Sequence, residues 1–120
     1  MPSPDSNPEA LLPLQPAAFH VLVALADHDQ HGYAIMRDVS DRTGGKLTLN
    51  PGTLYTTIRR LLDQGLITER AARPAAEHDD ERRRYYGLTT FGRRVARAEA
   101  ARLEQLLSMA REAGLMPKRS

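Results

Sequence analysis

The sequence predicts a mainly α-helical domain that carries one small β-hairpin and ends in a long C-terminal helix. Three observations predict it: a capped amphipathic segment at residues 50–62, two β-type segments at residues 66–70 and 83–89, and a run without glycine or proline at residues 94–112. The chain has 120 residues and an apolar content of 41%, which is enough for one hydrophobic core.

Composition excludes several classes of protein. The chain contains no cysteine, which excludes disulfides, thiolate metal sites and cysteine catalysis. No apolar run approaches the roughly 18 residues of a transmembrane helix, and no signal peptide is visible, so we expect a cytoplasmic protein without a membrane partner. The net charge is only +2, but lysine occurs just twice, and arginine suits contacts with phosphate and guanine.

The N-terminal third is predicted to hold a tail and two helices. Residues 1–13 contain four prolines among polar residues and predict a mobile tail. Residues 16–27 are almost wholly apolar and predict a helix buried on several sides. A polar break at residues 27–30 separates it from a second helix at residues 32–42. Residues 46–49 alternate in polarity and allow a very short strand.

The third helix has the clearest signals. Asn50 can cap it with a side-chain oxygen, Pro51 suits the first helical position, and Gly65 is a natural stop. Its apolar stripe consists of Leu54, Ile58, Leu61 and Leu62.

The other side of this helix is polar and cationic. It carries Thr53, Tyr55, Thr56, Arg59 and Arg60. Such side chains donate hydrogen bonds to phosphates and base edges, as a DNA recognition helix requires. An ordinary solvated helix face is the alternative interpretation, and Tyr55 fits either DNA contact or packing on the flank of the helix.

Two strand-like segments follow the third helix. Residues 66–70 and 83–89 are joined by a charged loop and predict a hairpin. The order helix, helix, recognition-type helix, hairpin is that of a winged helix-turn-helix. We therefore expect a tail at residues 1–13, a winged-helix domain at 14–89, a C-terminal helix at 90–114 and a tail at 115–120.

The C-terminal helix has a broad apolar side and no obvious partner within so small a chain. It can pack back on its own domain or pair with the same helix of a second subunit, and we favour pairing because helix-turn-helix proteins generally bind DNA as dimers. The predicted dimerisation residues are Phe19, Val95, Leu103, Leu106, Leu107 and Ala110.

Four sequence blocks in this order resemble the PadR family of bacterial transcriptional regulators. They are His31-Gly32-Tyr33-Ala34-Ile35, Asn50-Pro51-Gly52-Thr53-Leu54-Tyr55, Leu61-Leu62-Asp63-Gln64-Gly65-Leu66-Ile67 and Arg84-Tyr85-Tyr86-Gly87-Leu88-Thr89. The resemblance is to the shorter members, which carry a single C-terminal helix.

This resemblance implies a homodimer that binds a palindromic operator in double-stranded DNA, usually represses transcription, and can be released by a small-molecule inducer. Matching positions make Tyr33 and the face from Thr53 to Arg60 the expected DNA contacts. A basic wing edge is expected at Arg82, Arg83 and Arg84.

Two features depart from that family pattern. The wing carries Asp79, Asp80 and Glu81, and an acidic tip should repel phosphate, so we expect arginines at the strand base to touch DNA. In some short members of the family, an aromatic pair across the dimer sandwiches flat drug molecules. This chain contains no tryptophan, which argues against that mode of ligand binding.

Several residues have a structural alternative. Tyr33 is either a half-buried aromatic or a phosphate contact through its hydroxyl. Tyr85 and Tyr86 alternate on a strand, so at most one of them is expected to face DNA.

No enzyme, metal or cofactor is predicted. His28 and His31 have a spacing seen in some metal sites, but no further ligands complete the set. No motif frames a nucleophile or a phosphate loop, so no catalytic residue is proposed. The alternative function is a winged-helix protein-interaction module without specific DNA binding.

Overall fold

The computed structural model describes residues 7–70 and 84–117, which form four α-helices and a three-stranded antiparallel sheet. The helices are α1 (Pro16–Asp27), α2 (Gly32–Arg42), α3 (Pro51–Asp63) and α4 (Thr90–Glu112). The strands are β1 (Gln30–His31), β2 (Ile67–Arg70) and β3 (Tyr85–Leu88). This is the winged-helix arrangement that the sequence predicts.

One hydrophobic core joins the four helices with β2 and β3. Helix α1 lies in its centre, because five of its residues are buried and α2, α3 and α4 all pack against it. The fully buried large side chains of the core include Leu22, Leu25, Ile35, Leu54, Leu61, Leu66 and Val95.

The sheet contains the predicted pairing and one strand that was not predicted. Strands β2 and β3 pair antiparallel, with Ile67 opposite Leu88. Strand β1 pairs with the other edge of β3, although its sequence predicts a polar break. Gln30 can be buried in this strand because its amide donates to the Ala24 carbonyl (2.8 Å) and to Asp38 (3.0 Å).

The short strand allowed at residues 46–49 is not formed. The Thr43 hydroxyl donates to the Val39 carbonyl (2.9 Å) and accepts from the Leu47 N–H (3.1 Å), which holds this segment as a loop. Leu49 is buried in the core. The alternation in polarity therefore reflects a loop in which Leu47 and Leu49 both pack on the core, while Lys46 and Thr48 are exposed.

The N-terminal segment differs from the predicted tail from Asn7 onward. Residues Pro8–Leu11 form a short 3-10 helix, capped by Asn7, whose side chain accepts from the Glu9 N–H (3.0 Å). Leu11, Leu12 and Leu14 pack against the core. Apolar residues between the prolines thus bind this segment to the domain, while residues 1–6 lie outside the described part.

The start of α4 is bound tightly to the turn after α3. Thr89 caps α4 by accepting from the Gly92 N–H (2.8 Å), and its hydroxyl donates to the Gly65 carbonyl (2.6 Å). Gly65 adopts a positive φ of 76°, which favours glycine. A Cβ on Gly92 would overlap the Leu66 carbonyl oxygen. Helix α4 therefore begins inside the packed unit, and the division predicted at residue 90 falls at its first residue.

Val95 corrects one prediction about the dimer interface. Its side chain is 0% exposed within the single chain, where it packs in the core. It cannot reach a second subunit, so its assignment as a dimerisation residue is wrong. The apolar side of α4 is buried against its own domain near Val95 and is exposed farther along the helix. Val95 is therefore a residue of the domain core.

Candidate nucleic-acid interface

Helix α3 presents the polar face that the sequence predicts. The Asn50 side chain accepts from the Thr53 N–H (2.8 Å) and fixes the start of the helix. Leu54, Ile58 and Leu61 are buried beneath it. The five predicted contact residues, Thr53, Tyr55, Thr56, Arg59 and Arg60, are all exposed. The structure therefore brings them together on one accessible surface.

Tyr55 connects α3 to the start of α2. Its side chain is 49% exposed, and a Cβ built on Gly32 would lie 2.6 Å from its hydroxyl oxygen. The end of the Tyr55 ring therefore lies close against the backbone of Gly32. Tyr55 thus packs on its neighbour and keeps an accessible edge, which combines the two interpretations that the sequence left open.

The N-terminus of α2 lies beside this contact. His31 caps α2, because its Nδ1 accepts from the Ala34 N–H (3.2 Å). Tyr33 is 57% exposed, and the Arg37 guanidinium lies 5.9 Å from the centre of its ring. This distance is within the range of a cation–π contact. The capped turn therefore presents a phenol and a guanidinium together.

Arg37 is a candidate that the sequence analysis missed. It lies one helical turn after Tyr33, and this i, i+4 spacing was a signal that could have identified it. Arg70 was missed as well. Its contacts are to Asp29 and to the Leu88 carbonyl, which are distant from it in sequence, so no local pattern indicates them.

The wing contributes Arg84 within the described residues. Its guanidinium donates to Glu69 across the β2–β3 pair (2.8 Å), and this hydrogen bond raises the pKa of Arg84. The side chain is exposed, so it keeps donors that point to solvent. Arg82, Arg83 and the acidic run at residues 79–81 lie outside the described residues.

The two tyrosines of β3 lie in different surroundings. Tyr86 is 5% exposed and belongs to the core, where burial raises the pKa of its hydroxyl. Tyr85 is half-buried and meets the His31 ring edge-on at 5.5 Å. Tyr85 therefore packs beside His31, the cap of α2, and is the more exposed of the two tyrosines.

The outer half of α4 carries a second exposed surface, which is apolar. Its exposed large side chains are Leu103 (37%), Leu106 (49%), Leu107 (41%) and Met109 (53%). Ala110 is partly buried, and Phe19 on α1 is half-buried. Clustered apolar side chains of this kind mark an interaction surface.

Other kinds of site find no support in the described residues. Over 7–70 and 84–117, no three metal-ligating side chains come together. In the same ranges, no helix is apolar and long enough to cross a bilayer.

Comparison with known proteins identifies relatives. Residues 21–98 match the model of the Transcriptional regulator PadR-like family. Transcriptional regulator YqjI of Escherichia coli is 38% identical over 50 residues, which cover 42% of this chain and 24% of that protein. This chain therefore spans about a quarter of the length of that curated relative.

Two solved structures share the fold. A transcriptional regulator from Clostridium thermocellum has a TM-score of 0.68 at 22% identity, covering 80% of this chain and 87% of the other. A PadR family transcription regulator from Clostridium difficile has a TM-score of 0.68 at 21% identity, covering 80% of this chain and 95% of the other. The matched family consists of transcriptional regulators and not of enzymes. With its winged-helix fold and a family match over residues 21–98, this chain belongs to the PadR-like family of transcriptional regulators.

Proposed function

We propose that the protein is a homodimeric repressor that acts in the cytoplasm and places α3 in the major groove of a palindromic operator. One observation carries this proposal. From Pro51 to Leu62 the exposed polar side chains of α3 carry only hydroxyl and guanidinium donors, and the exposed carboxylate of Asp63 is confined to the last residue of the helix. Such a face attracts phosphates and can read base edges, whereas a merely solvated helix usually mixes both signs of charge.

The surroundings of α3 support contacts with the DNA backbone. Tyr33 and Arg37 on α2 provide a hydroxyl and a cation, and Gly32, the neighbour of Tyr33, lies against Tyr55 of α3. On the wing, Arg84 with its exposed guanidinium is placed to exchange Glu69 for a phosphate. Arg82 and Arg83 extend the same basic edge in sequence. We assign backbone contacts to these residues and base readout to α3.

A second copy of the chain is the partner that the outer half of α4 fits. The exposed Leu103, Leu106 and Leu107 can pack against the same residues of a symmetric partner. We include Ala110 and Phe19 at the edges of this interface. A dimer holds two α3 helices at a fixed separation, and successive half-sites on one DNA face lie about 34 Å apart.

The direct test changes Arg59 and Arg60 to alanine together. Removal of both guanidinium groups should weaken binding to an operator selected by the wild-type protein by at least about 30-fold. It should also make the salt dependence of binding shallower, by about one unit of slope for each phosphate that is no longer bound. Affinity is measured by fluorescence anisotropy at several salt concentrations.

The matched control is the double variant Arg93→Ala with Arg94→Ala. These arginines are also adjacent and exposed, but they lie in the first turn of α4, which is bound to the turn after the C-terminal end of α3. The control should keep wild-type affinity. An equal decrease in operator affinity in both double variants would contradict the proposal. So would an unchanged operator affinity in the α3 variant with an intact fold. A selection that enriches no palindrome would favour the protein-interaction module instead.

Release by a small molecule is the remaining part of the proposal, and it is supported by the family resemblance. A ligand that binds one dimer geometry better would shift the spacing of the two α3 helices and lower DNA affinity. Aromatic and cationic metabolites added to the same anisotropy assay provide the test. If none of them changes the affinity, this part is wrong.

A further inference from the structure

Gly87 occupies an unusual place in the middle strand of the sheet. It is buried inside β3, where glycine is disfavoured and usually marks the close approach of another group. A Cβ at this position would overlap the Asp29 carboxylate and would lie 2.8 Å from the Arg70 Nε. The missing side chain therefore leaves space for one side chain from each flank of the strand.

Arg70 crosses β3 through this space. It is the last residue of β2, its Nη2 donates to the Leu88 carbonyl of β3 (3.1 Å), and its Nε lies 3.5 Å from Asp29 just before β1. A second ion pair among the described residues, between Arg84 and Glu69, joins only the adjacent strands β3 and β2. Arg70 alone of these two arginines connects both edges of the sheet.

The connection lies where the sheet is weakest. Strand β1 pairs with β3 over only two positions, Gln30 with Tyr86 and His31 with Tyr85. So short a pairing provides little stability by itself. We call the β1–β3 pairing the seam. Because the same His31 caps α2, the seam joins the wing to the helices of the proposed DNA-binding face. Any additional contact across the seam restricts how the wing can tilt.

We propose that Arg70 and Asp29 form a clasp over Gly87 that fixes the position of the wing relative to α3. Both are positioning residues for operator binding and need not touch DNA. The inference rests on the proposed DNA-binding function, because its purpose is to hold two DNA-contacting surfaces in register. The ion pair is partly exposed, with side-chain exposures of 48% and 40%, so it acts on geometry more than on overall stability.

The variant Asp29→Asn separates this proposal from simple electrostatics. Removal of a negative charge near DNA should strengthen binding if only net charge matters. Loss of the clasp should instead weaken operator binding by about three- to fivefold, the size expected for one exposed ion pair. Arg70→Gln should have the same effect, and the exchanged pair Asp29→Arg with Arg70→Asp should restore affinity. Asp41→Asn, an exposed position on α2, is the matched control and should not weaken binding.

Two further readouts distinguish positioning from direct contact. If Arg70 bound a phosphate, Arg70→Gln would lower the salt slope by about one unit, whereas loss of a clasp leaves the slope unchanged. Hydrogen exchange of the DNA-free protein reports on the seam itself. The amides of Gln30 and His31 should exchange faster in both single variants and return to the wild-type rate in the exchanged pair.

Tighter DNA binding by Asp29→Asn, a lower salt slope in Arg70→Gln, or unchanged exchange in both single variants overturns the clasp. Weaker binding, faster exchange and recovery in the exchanged pair support it. A wild-type protein that selects no DNA sequence overturns the proposed function, and the exchange rates then still decide whether the clasp exists.

Discussion

The two halves of α4 lie in different surroundings. In the first half, residues 90–99, the side of the helix that carries Val95 and Glu99 is buried against its own domain. In the second half, residues 100–112, Leu103, Leu106 and Leu107 remain exposed. One continuous helix therefore first completes a core and then presents an apolar surface, and an amphipathic pattern alone does not show where the change occurs.

The first half is anchored at its beginning by Gly92. The change Gly92→Ala should lower the free energy of unfolding by about 3 kcal/mol or more, because the new Cβ would meet the Leu66 backbone, which cannot move aside cheaply. Urea unfolding measures the decrease. Gly52→Ala is the control, since its Cβ would lie 3.4 Å from the Asn50 side-chain oxygen and should change stability by less than about 1 kcal/mol. Similar free energies of unfolding for the two variants would contradict the tight anchoring of α4.

Truncation of one apolar side chain to alanine in each half of α4 should separate the effect on folding from the effect on dimer assembly. Val95→Ala should destabilise the domain by about 2 kcal/mol, because it empties a fully buried position. Leu106→Ala should leave the stability of the dissociated chain within about 0.5 kcal/mol and should weaken the dimer at least about tenfold. Urea unfolding of dilute protein and sedimentation equilibrium provide the two measurements. Wild-type dimer affinity in Leu106→Ala would remove the support for an interface on the second half.

Glu99 lies at the boundary between the halves and should have the smallest effect. Hydrogen bonds from Arg102 lower its pKa below the ordinary value of 4.5, burial opposes the shift, and the Leu14 N–H adds to it. A lowered pKa contributes stability that is complete above about pH 4.5 and is lost as the pH falls through the folded-state pKa. Glu99→Gln should cost about 1 kcal/mol at neutral pH.

The pH dependence provides the control for this prediction. Below about pH 4.5 the wild-type protein should lose more stability than Glu99→Gln, because only the wild type has this carboxylate to protonate. Urea unfolding at several pH values compares the two proteins, which differ only at position 99. Parallel stability curves would show that Glu99 does not hold the N-terminal segment through its charge.

The sequence predicted best those elements that depend on neighbours along the chain. Asn50, Pro51 and Gly65 delimit α3 through local capping and backbone rules, and the helix ends at Asp63, two residues before the predicted stop at Gly65. The fold class follows from such signals in order, together with the β-type alternation of the two wing strands.

The features that the sequence did not predict depend on partners far away in the chain. Strand β1 exists because Tyr86 lies opposite Gln30, whose buried amide is satisfied by Ala24 and Asp38. The burial of Val95 likewise depends on packing with other elements of the core. Helical periodicity identifies an apolar face but carries no information about which surface covers it.

Hydroxyl-radical footprinting of the wild-type protein on its selected operator tests the central claim most directly. If the second half of α4 joins two chains and α3 enters the major groove, two protected patches should appear on one face of the DNA, about 34 Å or one helical turn apart. Both patches should disappear together in the variant with Arg59→Ala and Arg60→Ala. A single patch, or protection that survives this double change, would contradict the account.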